Sequence, residues 1–237
     1  MEVFLKFYKK LLSSPQTTPK QSSTQWLDEI QLPTLSSKQS EALNAPCTEI
    51  EVIKIIGSLK TSTAPGPDGF SSSYYKKFAS VLIPHLVKLF NHVLQDNQFP
   101  SEMLLANMSL LPKPNKDHSS PQNFRPISII DNDLKIFGKI LADRLASVIS
   151  PLIHPDQTGF IPDRQITDNI RLATNIIQDS NLHARSTLLL SLDIHKAFDS
   201  VSWSYLDSLL PRYGIGDEFL HGFKALYHDP HTRIKLP

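Results

Sequence analysis

Cysteine is almost absent from this chain, with Cys47 the only one in 237 residues. That excludes an intrachain disulfide and any zinc site built from several thiolates, and it predicts no disulfide-linked partner. Net charge is equally sparse. Lys plus Arg (24) and Asp plus Glu (23) leave a formal +1, so the totals lack the basic footprint of a dedicated nucleic-acid binder. Any such contact must rest on local residues. The N-terminus has no long apolar run. Phe4, Phe7, Tyr8 and Leu11 recur at helical spacing, but Lys6, Lys9 and Lys10 interrupt them, which excludes a signal peptide and a membrane span. The expectation is an intracellular chain, cytoplasmic or nuclear, without a membrane partner. No internal repeat is present.

With 40% hydrophobic residues, the length suffices for one large or two small domains with a real core. Residues 13–47 are rich in Ser, Thr, Pro and Gln and read as an extended or loosely packed arm. Thr48-Glu49-Ile50-Glu51 has capping-box spacing, and Ile53, Ile56 and Leu59 predict a short helix to about Lys60. It ends at Ala64-Pro65-Gly66-Pro67-Asp68-Gly69-Phe70, where paired prolines and glycines require a shaped turn.

Amphipathic spacing predicts further helices over 84–95, 133–149 and 167–178, the last burying Ile170, Ala173, Ile176 and Ile177. Another runs from Trp203 to Tyr213 and stops at Gly214, and a short one covers 217–227. Met108-Ser109-Leu110-Leu111 reads as a strand closed by Pro112. Residues 187–193, Thr-Leu-Leu-Leu-Ser-Leu-Asp, read as a strand covered on both faces.

Asp193 ends that apolar run, where a carboxylate would be held rigidly within reach of a metal, and Asp199 follows six positions later. Mg²⁺ is held by one or two carboxylates plus substrate phosphates, so one strand-end aspartate can begin such a site but cannot complete a two-metal one. On spacing alone, capping of the turn by Asp193 is at least as good an account, and Asp199 reads as a helix cap. Lys113-Pro114 with Asn123-Phe124-Arg125-Pro126-Ile127-Ser128 places two cations in one hairpin-sized stretch of stiffened loop, able to clamp a triphosphate or simply to face solvent. Arg164, in Gly159-Phe160-Ile161-Pro162-Asp163-Arg164, has the same two readings. His228-Asp229-Pro230-His231 reads as a surface loop, because proline breaks the helical spacing of paired histidine ligands.

Taken in order, these segments resemble the reverse transcriptases of non-LTR, LINE-type retrotransposons. Pro65, Gly66, Asp68 and Gly69 lie in a stretch similar to the N-terminal motif these enzymes share with group II intron proteins. Lys113-Pro114 through Arg125-Pro126-Ile127-Ser128 resembles the first fingers motif. Gln157-Thr158-Gly159-Phe160 with Arg164 and Asp168-Asn169-Ile170 resembles the second, a template or structural motif. Ser191-Leu192-Asp193 with Lys196-Ala197-Phe198-Asp199 resembles the first palm motif, and Phe7-Tyr8-Lys9-Lys10-Leu11 the linker preceding the domain.

The resemblance implies an α+β fold of right-hand polymerase type. A helix and loose linker would occupy 1–47, mainly helical fingers 48–185, and the start of an incomplete palm sheet 186–237. It implies RNA-directed DNA polymerase chemistry with an RNA template, a DNA primer, dNTPs and Mg²⁺. Asp193 would be catalytic and carry metal, and Lys113 and Arg125 would contact the triphosphate. Phe198 would sit under the deoxyribose and exclude a 2′-hydroxyl.

The family's Gln-Gly-x-Pro and aromatic-Ala-Asp-Asp strings do not occur here. The expectation is a fragment truncated at both ends, inactive alone, with an apolar strand edge over 187–193 that is prone to aggregate. The other readings are a non-catalytic RNA clamp that keeps the fingers, and a helical interaction protein in which Asp193 only caps a turn.

Overall fold

The computed structural model describes residues 2–12, 25–194, 197 and 201–235. Among them the chain is α+β. In order come α1 (Glu2–Leu12), α2 (Ser37–Asn44), α3 (Glu49–Ser58), α4 (Ser72–Lys77), α5 (Ala79–Asp96), β1 (Leu105–Pro112), β2 (Phe124–Ile129) and α6 (Asn132–Val148). Then follow α7 (Ile166–Leu182), α8 (Trp203–Leu209), α9 (Asp217–Tyr227) and β3 (His231–Lys235). No helix among these residues is long and apolar enough to cross a membrane. The chain forms two compact units, one of residues 1–15, 40–144 and 215–237, the other of 16–39 and 145–214.

In the first unit β1 is the central strand of a sheet ordered β2-β1-β3, antiparallel to β2 and parallel to β3. Side chains alternate between the faces of a strand. Met108 and Leu110 therefore share one face with Phe124 and Ile234, and α1 covers it with Phe4, Phe7, Tyr8 and Leu11. The Tyr8 hydroxyl donates to the Pro121 carbonyl at 3.2 Å, which satisfies the one polar atom this packing would bury. The strand expected over 108–111 is longer than its apolar run. Phe124–Ile129, read as loop because of Pro126, is also a strand. As an edge strand, β2 tolerates a proline that has no N–H to donate.

The helical core of this unit joins α3, α5, α6 and α9. Phe90, Phe99 and Phe137 are buried, with ring centroids 5.1 Å (Phe90 to Phe137) and 5.2 Å (Phe99 to Phe137) apart. The capping box is present: Glu51 N–H donates to Thr48 Oγ1 at 3.3 Å, and Thr48 N–H donates to Glu51 Oε2 at 2.9 Å. Pro84, expected to open a helix, lies inside α5, which starts at Ala79. The buried stripe Ile83, Leu86, Phe90 and Val93 carries the helix past the one bond that proline removes.

The arm is more ordered than its composition predicts. Ser37–Asn44 is helical, Leu43 and Cys47 are buried in the first unit, and Leu27 and Leu35 are buried in the second. Burial, followed by the Glu51 charge, pushes the Cys47 thiol up to about 12, so it is not a reactive cysteine.

In the second unit Leu35 N–H donates to the Tyr213 carbonyl at 2.8 Å, and Arg212 pairs with Asp28 at 2.5 Å. Gly214 ends the Trp203–Tyr213 helical stretch with φ +79, as expected for a C′ glycine. Two expectations fail here. Residues 187–194 form no strand, and Leu188, Leu189, Leu190 and Leu192 are 70–88% exposed. A ladder needs a neighbouring strand, and none pairs with this segment among the described residues. Likewise α7 exposes Ile170, Ile176 and Ile177 instead of burying them, because an amphipathic stripe is buried only when another element covers it.

Arg144, which the sequence reading passed over, ties the arm to the helical core. Its guanidinium is 9% exposed and donates to both Glu51 carboxylate oxygens, at 2.7 and 2.9 Å, and to the carbonyls of Leu43, Ala45 and Pro46. Burial alone would raise the Glu51 carboxyl. The Arg144 hydrogen bonds and charge instead hold it below the ordinary carboxylate range. Arg144→Ala strands the carboxylate and three carbonyls, so urea denaturation should show a loss of about 3 kcal/mol. A loss within error of an exposed-lysine control such as Lys88→Ala would contradict this role.

Candidate nucleotide and nucleic-acid site

The proline-glycine turn closes on the start of α6. Gly69 N–H donates to the Gly66 carbonyl at 3.2 Å, and Gly69 has φ +79. A Cβ on Gly66 would lie 2.6 Å from the Asp131 backbone nitrogen and Cα, a distance that only a glycine avoids. Across this contact Asp68 N–H donates to Asp131 Oδ1 at 3.1 Å, and Asn132 Nδ2 donates to the Phe70 carbonyl at 2.7 Å. Ser72 Oγ donates to Asn132 Oδ1 at 3.3 Å, and the Tyr75 hydroxyl donates to Asp133. Asp131 and Asn132 were passed over in the sequence, and Asp133 was read only as the first residue of a helix.

This cluster borders a cleft of about 1070 Å³ within the first unit, whose walls include Asp68, Phe70, Tyr75, Asp131, Asp133 and Arg233. Its electrostatics are strained. Burial first, then the charges of Asp68 and Asp133, push the Asp131 carboxyl up to about 6, although the hydrogen bond from Asp68 opposes this. Burial and the Asp68 charge raise Asp133 as well, while burial lowers Lys135 against the pull of Asp131 and Asp68. Burial, with the bond to Asp133, raises the Tyr75 phenol.

Lys113 and Arg125 lie near the end of the β1-β2 hairpin, where the Lys113 ammonium donates to the Gln122 carbonyl at 2.9 Å. Leu111 pairs with Arg125, and Lys113 N–H continues the ladder by donating to the Asn123 carbonyl at 2.8 Å. By alternation, Arg125, Leu111 and Lys113 lie on the sheet face opposite α1. That face is open, with Leu111 48% and Ile127 44% exposed. Arg233, paired with Asn107 across β1 and β3, adds a third cation to it, which no local signal in the sequence marked. His231, read as part of a loop, is the first residue of β3.

In the second unit Gln157, Gly159, Phe160 and Arg164 share one loop. The Arg164 guanidinium donates to four carbonyls, those of Ser150, Ile153, His154 and Gln157, at 2.6–2.9 Å. It therefore fixes the loop and is not a cation left in solvent. Asp193 lies outside any helix or strand and is exposed, with no hydrogen bond or ion pair among the described residues. Phe198 and Asp199 lie outside the described residues. Among those described, no group of three His, Cys, Asp or Glu could hold a metal ion. Asp193 offers a single hard oxygen ligand, which fits an ion that draws its other ligands from substrate.

The sign of the Asp131 effect is fixed by its raised carboxyl. The folded chain holds that proton more tightly than the unfolded chain, whose carboxyl titrates near 3.8. Stability from this group is present below about pH 4, falls as pH rises toward about 6, and stays lost above it. Asp131→Asn keeps the acceptor for Asp68 N–H and removes the charge. It should raise the thermal midpoint at pH 7–8 and leave it unchanged near pH 4. A gain of equal size at both pH values would contradict the linkage.

Comparison with known proteins gives one family match, to reverse transcriptase (RNA-dependent DNA polymerase), over residues 111–234. The chain is 31% identical over 230 residues to the transposon TX1 uncharacterized 149 kDa protein of Xenopus laevis, covering 97% of this chain and 17% of that protein. It is 31% identical over 173 residues to the retrovirus-related Pol polyprotein from the type-2 retrotransposable element R2DM of Drosophila melanogaster, covering 73% and 16%. A probable RNA-directed DNA polymerase from transposon BS of the same fly is 28% identical, covering 72% and 20%. The chain thus spans a fifth or less of these relatives. The family match covers more than half of the chain and takes in the hairpin cations, the Arg164 loop and Asp193, and the chain belongs to the reverse transcriptase family, among the proteins of non-LTR retrotransposons.

Proposed function

We propose that this chain supplies the fingers, over 48–185, and the first part of the palm, over 186–237, of an RNA-directed DNA polymerase. The observation that carries this reading is the hairpin. Its register puts Lys113 and Arg125 on one open sheet face, where a planar guanidinium and an ammonium can hold the phosphates of an incoming dNTP. Asp193 would hold Mg²⁺ together with substrate phosphates, and its exposed carboxylate is chemically suited to that role. When bound, the ion supplies activation of the attacking 3′-hydroxyl and neutralisation of charge on the leaving pyrophosphate. Phe198 is the residue that the family motif assigns to excluding ribonucleotides by collision with the 2′-hydroxyl. The Gly66 turn in the first unit and the Arg164 loop in the second are each ordered segments suited to template contact, with RNA read mainly through its backbone and shape.

These 237 residues contain no aromatic-Ala-Asp-Asp string, so they hold one of the carboxylates that a two-metal site needs and do not polymerise alone. Nucleotide binding is separable from turnover. At a hundred times its Kd, dTTP with Mg²⁺ should stabilise the chain by about 2.7 kcal/mol in a thermal-shift series. Arg125→Ala and Lys113→Ala should each remove most of that gain. In any longer form of the chain that extends a primer, Asp193→Asn should abolish the extension. No stabilisation of the unsubstituted chain by dTTP and Mg²⁺ would sink the nucleotide site and leave the family assignment standing.

A further inference from the structure

The cleft of the first unit combines an apolar lining with a charge balance unlike that of the chain. Leu82, Leu86 and Leu89 of α5 line it together with Met103 and Leu105. The rings of Phe70, Tyr74 and Tyr75 line it too, with the Phe70 and Tyr74 centroids 4.5 Å apart and Phe70 46% exposed. Carboxylates stand beside these rings. Phe70 N–H donates to Asp68 Oδ1 at 2.9 Å, and the Tyr75 hydroxyl donates to Asp133. The whole sequence balances at +1, whereas the cleft sets Asp68, Glu102, Asp131 and Asp133 against Arg233, with its two histidines counted neutral. None of the four carboxylates forms an ion pair among the described residues. Lys135, which is not among the residues lining the cleft, pulls on Asp68 and Asp131, yet burial and the charge of Asp68 still hold Asp131 and Asp133 above the usual carboxylate range. A phosphate backbone is repelled from such a lining, and a cation is drawn in.

We propose that this cleft is a docking groove for a polypeptide segment of a partner protein, in which an arginine flanked by apolar side chains enters beside the rings and the carboxylates. The inference goes beyond the polymerase reading and does not rest on it. Charge complementarity selects the cation, and three features of the groove select arginine within a peptide. A guanidinium is planar, so it stacks on an aromatic face and takes a carboxylate through two N–H groups, which a compact ammonium does not. The apolar lining from α5 needs apolar partners, which a free metal ion or a simple ammonium lacks. The volume, about 1070 Å³, is at the top of the range of roughly 300–1,000 Å³ for small-molecule pockets, so one cationic group would leave most of it empty. An arginine with its neighbours on a chain fills both the charged and the apolar parts.

The test uses the whole chain and two fluorescein-labelled peptides, Leu-Arg-Leu-Arg-Leu and the same peptide with citrulline for arginine, followed by anisotropy. Citrulline keeps the shape and removes the charge, so its peptide should bind at least 10-fold more weakly. Asp131→Asn keeps the acceptor for Asp68 N–H and should weaken the arginine peptide by about 10- to 100-fold, the span of a charge-assisted hydrogen bond converted at 1.4 kcal/mol per tenfold. Phe70→Leu leaves both backbone bonds of Phe70 in place and should weaken it by about 2- to 30-fold, the span of a cation–π contact. Glu102→Gln, at an exposed residue, should weaken it by about 1.5- to 5-fold. Arg233→Ala should tighten it, because a like charge is removed from the groove. Equal affinity for the two peptides reduces the groove to an apolar one and overturns the proposal. Weaker binding in Arg233→Ala overturns it in favour of an anionic occupant, and displacement of the peptide by an equal concentration of spermidine overturns it in favour of a small polyamine. Unchanged affinity in both Asp131→Asn and Phe70→Leu, or no binding of the arginine peptide by the unsubstituted chain, overturns it outright. In every case the polymerase reading stands.

Discussion

The register of β1 against β2 is the constraint on which the first unit depends. Side chains alternate with period two, so pairing Leu111 with Arg125 commits Met108, Leu110 and Phe124 to α1 and leaves Arg125 and Lys113 on the open face. A slip of β2 by one residue would turn the Arg125 guanidinium toward α1 and expose Phe124. The packing under α1 therefore fixes the direction in which the cations point, and the apolar face acts on function through geometry, without touching substrate.

A second constraint works against stability. The turn at Gly66 presses on the Asp131 backbone and brings Asp68, Asp131 and Asp133 to one edge of the cleft. Burial with like-charge repulsion raises Asp131 and Asp133, which costs the fold free energy above the carboxylate range. The bond from the Tyr75 hydroxyl to Asp133 offsets part of that cost, and the bond from Asn132 to the Phe70 carbonyl holds the turn in one shape. Phe160 shows the same pattern in the second unit, where a strained backbone is kept by bonds that lock the loop around it. Both are local departures from the most stable arrangement.

Apolar pattern and burial part company at two places. Residues 188–192 and the α7 stripe carry the periodicities of a strand and an amphipathic helix, yet both are exposed. Periodicity records which face can be buried. Burial itself needs a covering element, and that is a property of the neighbours and not of the segment. The helix of α7 forms regardless, since its backbone bonds are internal. The strand does not form, since its bonds must come from another chain segment.

What the sequence determined by itself is everything that short range decides: the capping box at Thr48, the glycine stop at Gly214, the forced turn at residues 64–70, and the amphipathic helices read over 133–149 and 217–227. Motif order also carried the family, because it needs no coordinates. Only the tertiary structure decided that Asp131, 63 residues away, closes on Asp68, and that Arg144 gathers α3 and the arm. It alone decided that Arg125 and Arg233 share a face across two strands and that Arg164 holds a loop instead of meeting solvent. The physical reason is common to all four. A polar side chain has many acceptors of equal chemistry available to it, and which one it meets is set by the packing of distant apolar residues, which no local pattern encodes.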